Sequence, residues 1–194
     1  MSVLAVSFLV PQLSYSDSPL TSTDIYKAYD DIDMVSKAKK EGKMTNKIAD
    51  FLSSDTNSID TKAAVINAMG WSIDGSNNAD LYCIYVHDRS MKNIDIKVLK
   101  ADELFCVGYM QALDDYFHPK KALPYLKAAL EENDKSFTVA IILALTKAQS
   151  IMNNGDWCKM WEITYKVLDD KYLVRELRES AIKIIKDYMI LYKC

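Results

Sequence analysis

The chain has 194 residues and a formal net charge of -3, and hydrophobic residues make up 49% of it against 26% charged ones, a balance that excludes wholesale disorder. This length allows one domain of ordinary size whose core needs no metal or disulfide to complete it. The negative charge and the presence of only three arginines, Arg89, Arg175 and Arg178, argue against nucleic acid as a partner.

Residues 1–21 form a candidate amino-terminal arm ahead of a single helical domain over residues 22–194. The apolar run from Val3 to Val10 and the small residues Ser14 and Ser16 are typical of an export signal cleaved after Ser16. The arm has no Lys or Arg and its apolar run is short, so an arm that packs on the domain is an equal alternative. The first alternative places the protein in the periplasm or outside the cell, and the second in the cytoplasm. Elsewhere no apolar run approaches the ~20 residues that a membrane span needs.

Apolar spacing and capping residues predict about nine helices in antiparallel succession. The presence of only 5 glycines and 4 prolines also favours long helices with short connections over sheets with many tight turns. In chain order, we expect helices over residues 24–40, 44–52, 61–69, 79–86, 100–116, 119–132, 134–152, 157–170 and 173–192. Between the fourth and fifth helices, the alternation of Ile94, Ile96 and Val98 with charged residues predicts a short extended piece. The polar residues 17–21 are expected to form a linker.

The helix predicted over residues 134–152 is apolar on nearly every side. Its apolar residues are Phe137, Val139, Ile141, Ile142, Leu143, Leu145, Ile151 and Met152. A helix that is hydrophobic all round belongs in the interior, and the amphipathic helices of the rest of the chain can cover it. We therefore predict an all-α domain in which antiparallel helical hairpins stack as a compact bundle or a short right-handed solenoid around this helix.

Residues 106–133 read CVGYMQALDDYFHPKKALPYLKAALEEN, a pattern that resembles the tetratricopeptide repeat superfamily. In this resemblance, which covers residues 102–170, Gly108 and Tyr109 are the close-packing glycine and aromatic residue of one helix. The small and aromatic positions of its partner helix are Ala122, Tyr125, Ala128 and Ala129. The repeat length, the missing proline after the second helix and the lack of a second clear copy depart from the family pattern. The resemblance implies a concave surface for a peptide or protein and implies no chemistry, and small residues at helix crossings also occur in ordinary bundles.

Few residues are candidates for catalysis. Asp114 and His118 lie four positions apart, the spacing of one helix face, and with His87 they are of the residue types that hold a metal in a small metal-dependent hydrolase. A polar helix end leading into Pro119 explains the same residues without a metal. No glycine-rich phosphate loop occurs in the chain, and we expect no cofactor.

The aromatic residues are the remaining signal, because Tyr and Trp anchor partner surfaces and the chain has 12 tyrosines and 3 tryptophans. Trp71 follows a helix end beside a loop, whereas Trp157 and Trp161, one turn apart, are assigned to the core. The residues expected at an interface are Trp71, Tyr82, Tyr26 and Tyr29. We therefore expect a non-enzymatic module that binds a protein or peptide, with an exposed apolar patch near Trp71 and Tyr82. An immunity-type protein that neutralises a toxin in the cell envelope shares this profile, and the oligomeric state is not indicated.

The four cysteines are Cys83, Cys106, Cys158 and Cys194, which are too widely spaced for a CxxC zinc or redox motif. We expect buried thiols that behave as small hydrophobic residues. The alternative is one or two disulfides, which requires an oxidising compartment. The Lys-rich, Arg-poor usage is typical of an AT-rich bacterial genome.

Overall fold

The computed structural model of the protein describes residues 18–152 and 154–194. Over these residues the chain forms nine α-helices, short 3-10 turns and no sheet, which confirms the predicted all-α class. The helices are α1 Asp33–Glu41, α2 Asn46–Ser53, α3 Ile59–Met69, α4 Asn78–His87, α5 Ala101–Asp114, α6 Leu123–Glu132, α7 Phe137–Met152, α8 Trp157–Leu168 and α9 Glu179–Met189. They stack as antiparallel hairpins in a compact bundle. Of the export signal or packing arm expected over residues 1–21, residues 1–17 lie outside the described part of the chain.

The helix α7 lies at the centre of this bundle, as its composition predicts. Every residue from Phe137 to Thr146 is buried, and α7 contacts α3, α5, α6 and α8. The hydroxyl of Thr146 donates to the carbonyl of Ile142 at 2.8 Å, so this polar group is satisfied inside the helix. Each fully buried Ile, Leu or Phe contributes about 1.5–3 kcal/mol. The apolar content of α7 therefore accounts for much of the burial that holds the bundle together.

Gly108 sets the distance between α5 and α6. A Cβ atom at this position would lie 2.8 Å from Cγ of Leu126 and 3.0 Å from Cβ of Tyr125. These separations are shorter than normal packing contacts, so only glycine allows the two helices to approach this closely. Between them, the chain breaks at His118 and Pro119 as predicted, and a 3-10 turn over Pro119–Ala122 leads into α6.

Several predicted helices are shorter in the structure. The helix expected over residues 24–40 is divided into a 3-10 turn, Ile25–Tyr29, and α1. The last helix begins at Glu179 instead of residue 173, because the preceding segment is extended and pairs with the start of α7. There the N–H of Val174 donates to the carbonyl of Lys135 at 2.7 Å, and the N–H of Phe137 donates to the carbonyl of Val174 at 3.1 Å. The start of the last helix is therefore set by contacts with a distant part of the chain.

Two short segments also differ from the prediction. The prediction of an extended piece at Ile94–Val98 is wrong. A 3-10 turn forms over Ile96–Val98, and Asp95 caps it by accepting the N–H of Lys97. The polar residues expected to form a linker are buried from Ser18 to Leu20. The amide oxygen of Gln149 in α7 accepts the Ser18 hydroxyl at 2.7 Å and the Leu20 N–H at 3.2 Å. This start of the described chain is therefore tied to the central helix.

Candidate functional site

Two of the four aromatic residues expected at an interface are interior residues. Tyr29 and Tyr82 both have 0% relative exposure, so neither presents a ring to a partner. Tyr82 faces α5 from α4, and its hydroxyl has no hydrogen-bond partner among the described residues. Burial and the nearby Cys106 and Glu103 raise the pKa of Tyr82, which keeps the phenol neutral. Tyr82 lies on the buried side of α4 together with Ala79 and Cys83, so its ring is directed inward.

Tyr29 joins the two ends of the described chain. Its hydroxyl donates to Oδ2 of Asp60 in α3 at 2.9 Å and accepts the backbone N–H of Arg178 at 3.0 Å. The guanidinium of Arg178 lies over the Tyr29 ring, 4.4 Å from its centre. Burial raises the pKa of Tyr29, so the hydroxyl remains a donor to Asp60.

We expect Tyr29→Phe to lower the free energy of unfolding by about 2 kcal/mol, because it removes both hydrogen bonds and leaves the buried Asp60 carboxylate without this donor. Urea unfolding of the full chain measures the change. Tyr26→Phe is the matched control, since no hydroxyl hydrogen bond of Tyr26 is present among the described residues, and we expect it to change stability by less than about 0.5 kcal/mol. Equal effects of the two substitutions would show that the Tyr29 hydroxyl adds nothing specific.

Trp71 and Tyr26 are only half buried. Trp71 stacks on Tyr116 with ring centres 4.9 Å apart, and Tyr116 meets Phe117 edge-on at 5.1 Å. Phe117 is exposed, as is Ile73, and both line the same groove. A small exposed apolar patch therefore lies near Trp71, but Phe117 and Ile73 form it, while Trp71 itself is half buried.

The residues expected in a metal-dependent hydrolase serve other purposes. Asp114 is buried and holds the start of α4, where it accepts the Ala79 N–H at 2.8 Å and the Ser76 hydroxyl. Burial raises the pKa of the Asp114 carboxyl, although these hydrogen bonds act to lower it. His118 is exposed and its Nδ1 lies 2.9 Å from Asp115. No group of three or more His, Cys, Asp or Glu in the described residues is placed to hold a metal ion.

His87 and the two thiols complete the list of reactive groups. Nε2 of His87 lies 3.3 Å from Oε1 of Glu103, between α4 and α5. The two atoms are not oriented for a hydrogen bond, so Nε2 has no hydrogen-bond partner among the described residues. Cys83 and Cys106 are buried. Burial raises the pKa of Cys83 to about 12 and also raises that of Cys106, so both remain protonated thiols without nucleophilic character. These residues form part of the α4–α5 packing.

A second set of aromatic rings lies on α8 and near residue 192, and in it two rings are exposed and three are half buried. We call it the aromatic surface, and it consists of Trp157, Trp161, Tyr165, Tyr188 and Tyr192. The three residues of α8 are four apart, which places them on one side of the helix. Ring centres lie 5.0 Å apart for Trp161 and Tyr165 and 5.7 Å apart for Trp157 and Tyr192. The exposed fractions of Trp157 and Tyr165 are 49% and 44%, so these large rings contact solvent over about half of their area.

A disulfide between Cys158 and Cys194 fixes the aromatic surface. It joins the first turn of α8 to the last residue of the chain, with Cα atoms 5.5 Å apart. The expectation of buried thiols is therefore wrong for this pair and holds for Cys83 and Cys106. Because Tyr192 lies two residues before Cys194, the bond also holds the Tyr192 ring against Trp157.

No protein-family model matches this chain, and it matches neither a curated protein nor a solved structure. Within the described residues, no helix is long and apolar enough to cross a membrane.

Proposed function

We propose that this protein is a non-enzymatic binding module whose protein partner docks on the aromatic surface. The observation that carries the proposal is the clustering of five partly exposed Trp and Tyr rings on one side of the bundle. Next to them, Ile190 and Leu191 are also exposed. Trp and Tyr dominate the binding energy of protein interfaces, and contiguous exposed apolar patches on soluble proteins mark interaction sites.

The aromatic surface is held in one arrangement before any partner arrives. The disulfide anchors the end of the chain, and ring stacking restrains Trp157 and Trp161. A surface that is already ordered loses less conformational entropy on binding. The same two helices, α8 and α9, carry exposed ion pairs, Lys159 with Glu162 and Lys183 with Asp187.

Two further observations support a module of this class. The resemblance of residues 102–170 to tetratricopeptide repeats, a superfamily that binds proteins and peptides, points in the same direction. The Cys158–Cys194 disulfide favours the exported of the two locations expected from the sequence, because disulfides persist in oxidising compartments. An immunity-type protein of the cell envelope would be a special case of this proposal, with a toxin as the partner.

A photo-crosslinking amino acid at position 165 in native cells should give one discrete adduct with a partner protein. The control places the same amino acid at position 85, because Tyr85 on α4 has a similar exposed fraction, 45%, but lies outside the aromatic surface. We expect Trp157→Ala to abolish the adduct, since loss of a central aromatic residue costs about 2 kcal/mol or more, roughly thirtyfold in affinity.

Two results would contradict the proposal. Equal crosslinking from positions 165 and 85 would show that the aromatic surface is not preferred. An adduct of twice the mass of the chain would show that the surface joins two copies instead of binding a separate partner.

A further inference from the structure

A second concave surface lies between α6, α7 and α8. It is an open groove with a volume of about 410 Å³. Its apolar lining consists of Leu130, Ala140, Leu143, Ala144, Ile163, Val167 and Leu173. The floor is formed by α7, where small alanine side chains leave room above the helix. On α8, Ile163 and Val167 lie on the other side of the buried stripe from Trp161 and Tyr165, so this groove is separate from the aromatic surface.

Three lysines surround one part of the groove, one from each helix: Lys127, Lys147 and Lys166. Lys147 and Lys166 line the groove directly. No carboxylate lies within ion-pair distance of any of the three among residues 18–152 and 154–194. Burial and then the positive charges of Lys127 and Lys166 lower the pKa of Lys147. An anion at this position would relieve their mutual repulsion.

The two carboxylates of the groove lie away from Lys147. Asp134 precedes α7 and Asp170 follows α8, and because these helices are antiparallel both acids are at the end where α7 begins. Oδ1 of Asp170 accepts the N–H of Tyr172 at 2.8 Å. Lys147 lies seven residues after Ala140, which is about 10 Å along the helix. The groove thus has an apolar floor about 10 Å long between Ala140 and a cationic end.

We propose that this groove binds an aliphatic carboxylate, whose head group is held by Lys147 and Lys166 and whose hydrocarbon chain covers Ala140, Leu143 and Ala144. The unpaired lysines supply the charge complementarity, and the aliphatic lining matches an unbranched chain. The size of the groove falls within the range of about 300–1,000 Å³ that small-molecule sites occupy. The floor is about two turns of helix long. Its positive charge lies toward Lys147 and its carboxylates lie at the opposite end, so a medium-length chain with a single anionic head has one favoured direction.

Titration of the full chain with decanoate, below its micelle concentration, tests the proposal by calorimetry and by NMR of methyl groups. We expect saturable binding of one decanoate, with shifts at Leu143 and Ile163 and none at Ile84 on α4. Decyltrimethylammonium, which has the same chain and a positive head, should not bind. The double substitution Lys147→Gln and Lys166→Gln should weaken decanoate binding by at least roughly tenfold, because two charge-assisted contacts are lost.

The matched control is Lys40→Gln on α1. Lys40 is exposed, as is Lys166, and has no carboxylate partner among the described residues, but it lies outside the groove. It should leave decanoate binding unchanged, as should Trp157→Ala, so failure of this proposal and failure of the aromatic surface are distinguishable. Absence of saturable binding overturns the proposal, and so does equal binding of the cationic amphiphile or of the double variant. An acidic peptide that shifts the same methyl groups when decanoate does not would also overturn it.

Discussion

Asp102→Asn should lower the free energy of unfolding by about 3 kcal/mol, because it leaves a buried lysine without its counter-ion. The ammonium of Lys62 in α3 lies 2.6 Å from Oδ2 of Asp102 in α5, and the side chain of Lys62 has 0% exposure. Removing one partner of a buried pair typically costs about 3–5 kcal/mol. We expect the lower end of this range because Asp102 itself is 33% exposed and water screens part of the interaction.

The double substitution Lys62→Met and Asp102→Asn should recover most of this loss, since an apolar side chain of similar length fills the same space and no buried charge remains. Urea unfolding of the wild type, the single variant and the double variant measures these differences. The control is Asp55→Asn, which breaks the pair between Asp55 and Lys100, both of them well exposed. It should leave the unfolding midpoint unchanged. A double variant as unstable as Asp102→Asn would show that the stranded charge is not the cause.

Removing the Cys158–Cys194 disulfide should have a comparable effect. The bond spans 36 positions, and restricting an unfolded loop of this length is worth roughly 3–4 kcal/mol in the chain-entropy model. The measured loss should be somewhat smaller, about 2–3 kcal/mol, because the last residues also gain freedom in the folded state once they are released. The variant Cys158→Ser and Cys194→Ser, or the reduced wild type, tests this by urea unfolding.

The same change should disturb the aromatic surface. Without the bond, Tyr192 is no longer held against Trp157, so we expect a change in tryptophan fluorescence and weaker crosslinking from position 165. Reductant should have no effect on the double serine variant, which separates the disulfide from other effects of the reagent. An unfolding midpoint that is the same in oxidised and reduced protein would contradict the prediction.

Features set by local residues could be predicted from the sequence. Gly42 ends α1 in a left-handed conformation with φ of 61°, and Pro119 separates α5 from α6. The central position of α7 follows from its composition alone. Helix ends set by distant contacts could not be predicted: the turn before α1 depends on Tyr29 contacting Asp60 and Arg178, which no local pattern indicates.

The candidate interaction surface was predictable only in part. The spacing of Trp157 and Trp161 does place their rings on one side of a helix. However, the buried stripe of α8 is formed by Met160, Thr164 and Leu168. The residues Trp161 and Tyr165 each follow a residue of this stripe and have the same spacing, so the sequence does not show which of the two stripes is buried. The Cys158–Cys194 pairing could not be predicted either, because four cysteines allow three different sets of two disulfides. The sequence therefore indicated the kinds of residue that form the surface, but their exposure depends on how α9 packs beside α8.

The contact between Tyr29 and Arg178 also affects the order of folding during synthesis. These residues are 149 positions apart, and a ribosome adding about 5–20 residues per second needs roughly 7–30 s to make the intervening chain. The segment Ile25–Tyr29 can pack on α3 early, as can α1, whereas its contacts with Arg178 and α9 must wait until those residues have been made. During this interval the side of the segment that later meets α9 is available to chaperones on the nascent chain, and this contact closes only after residue 178 has been made.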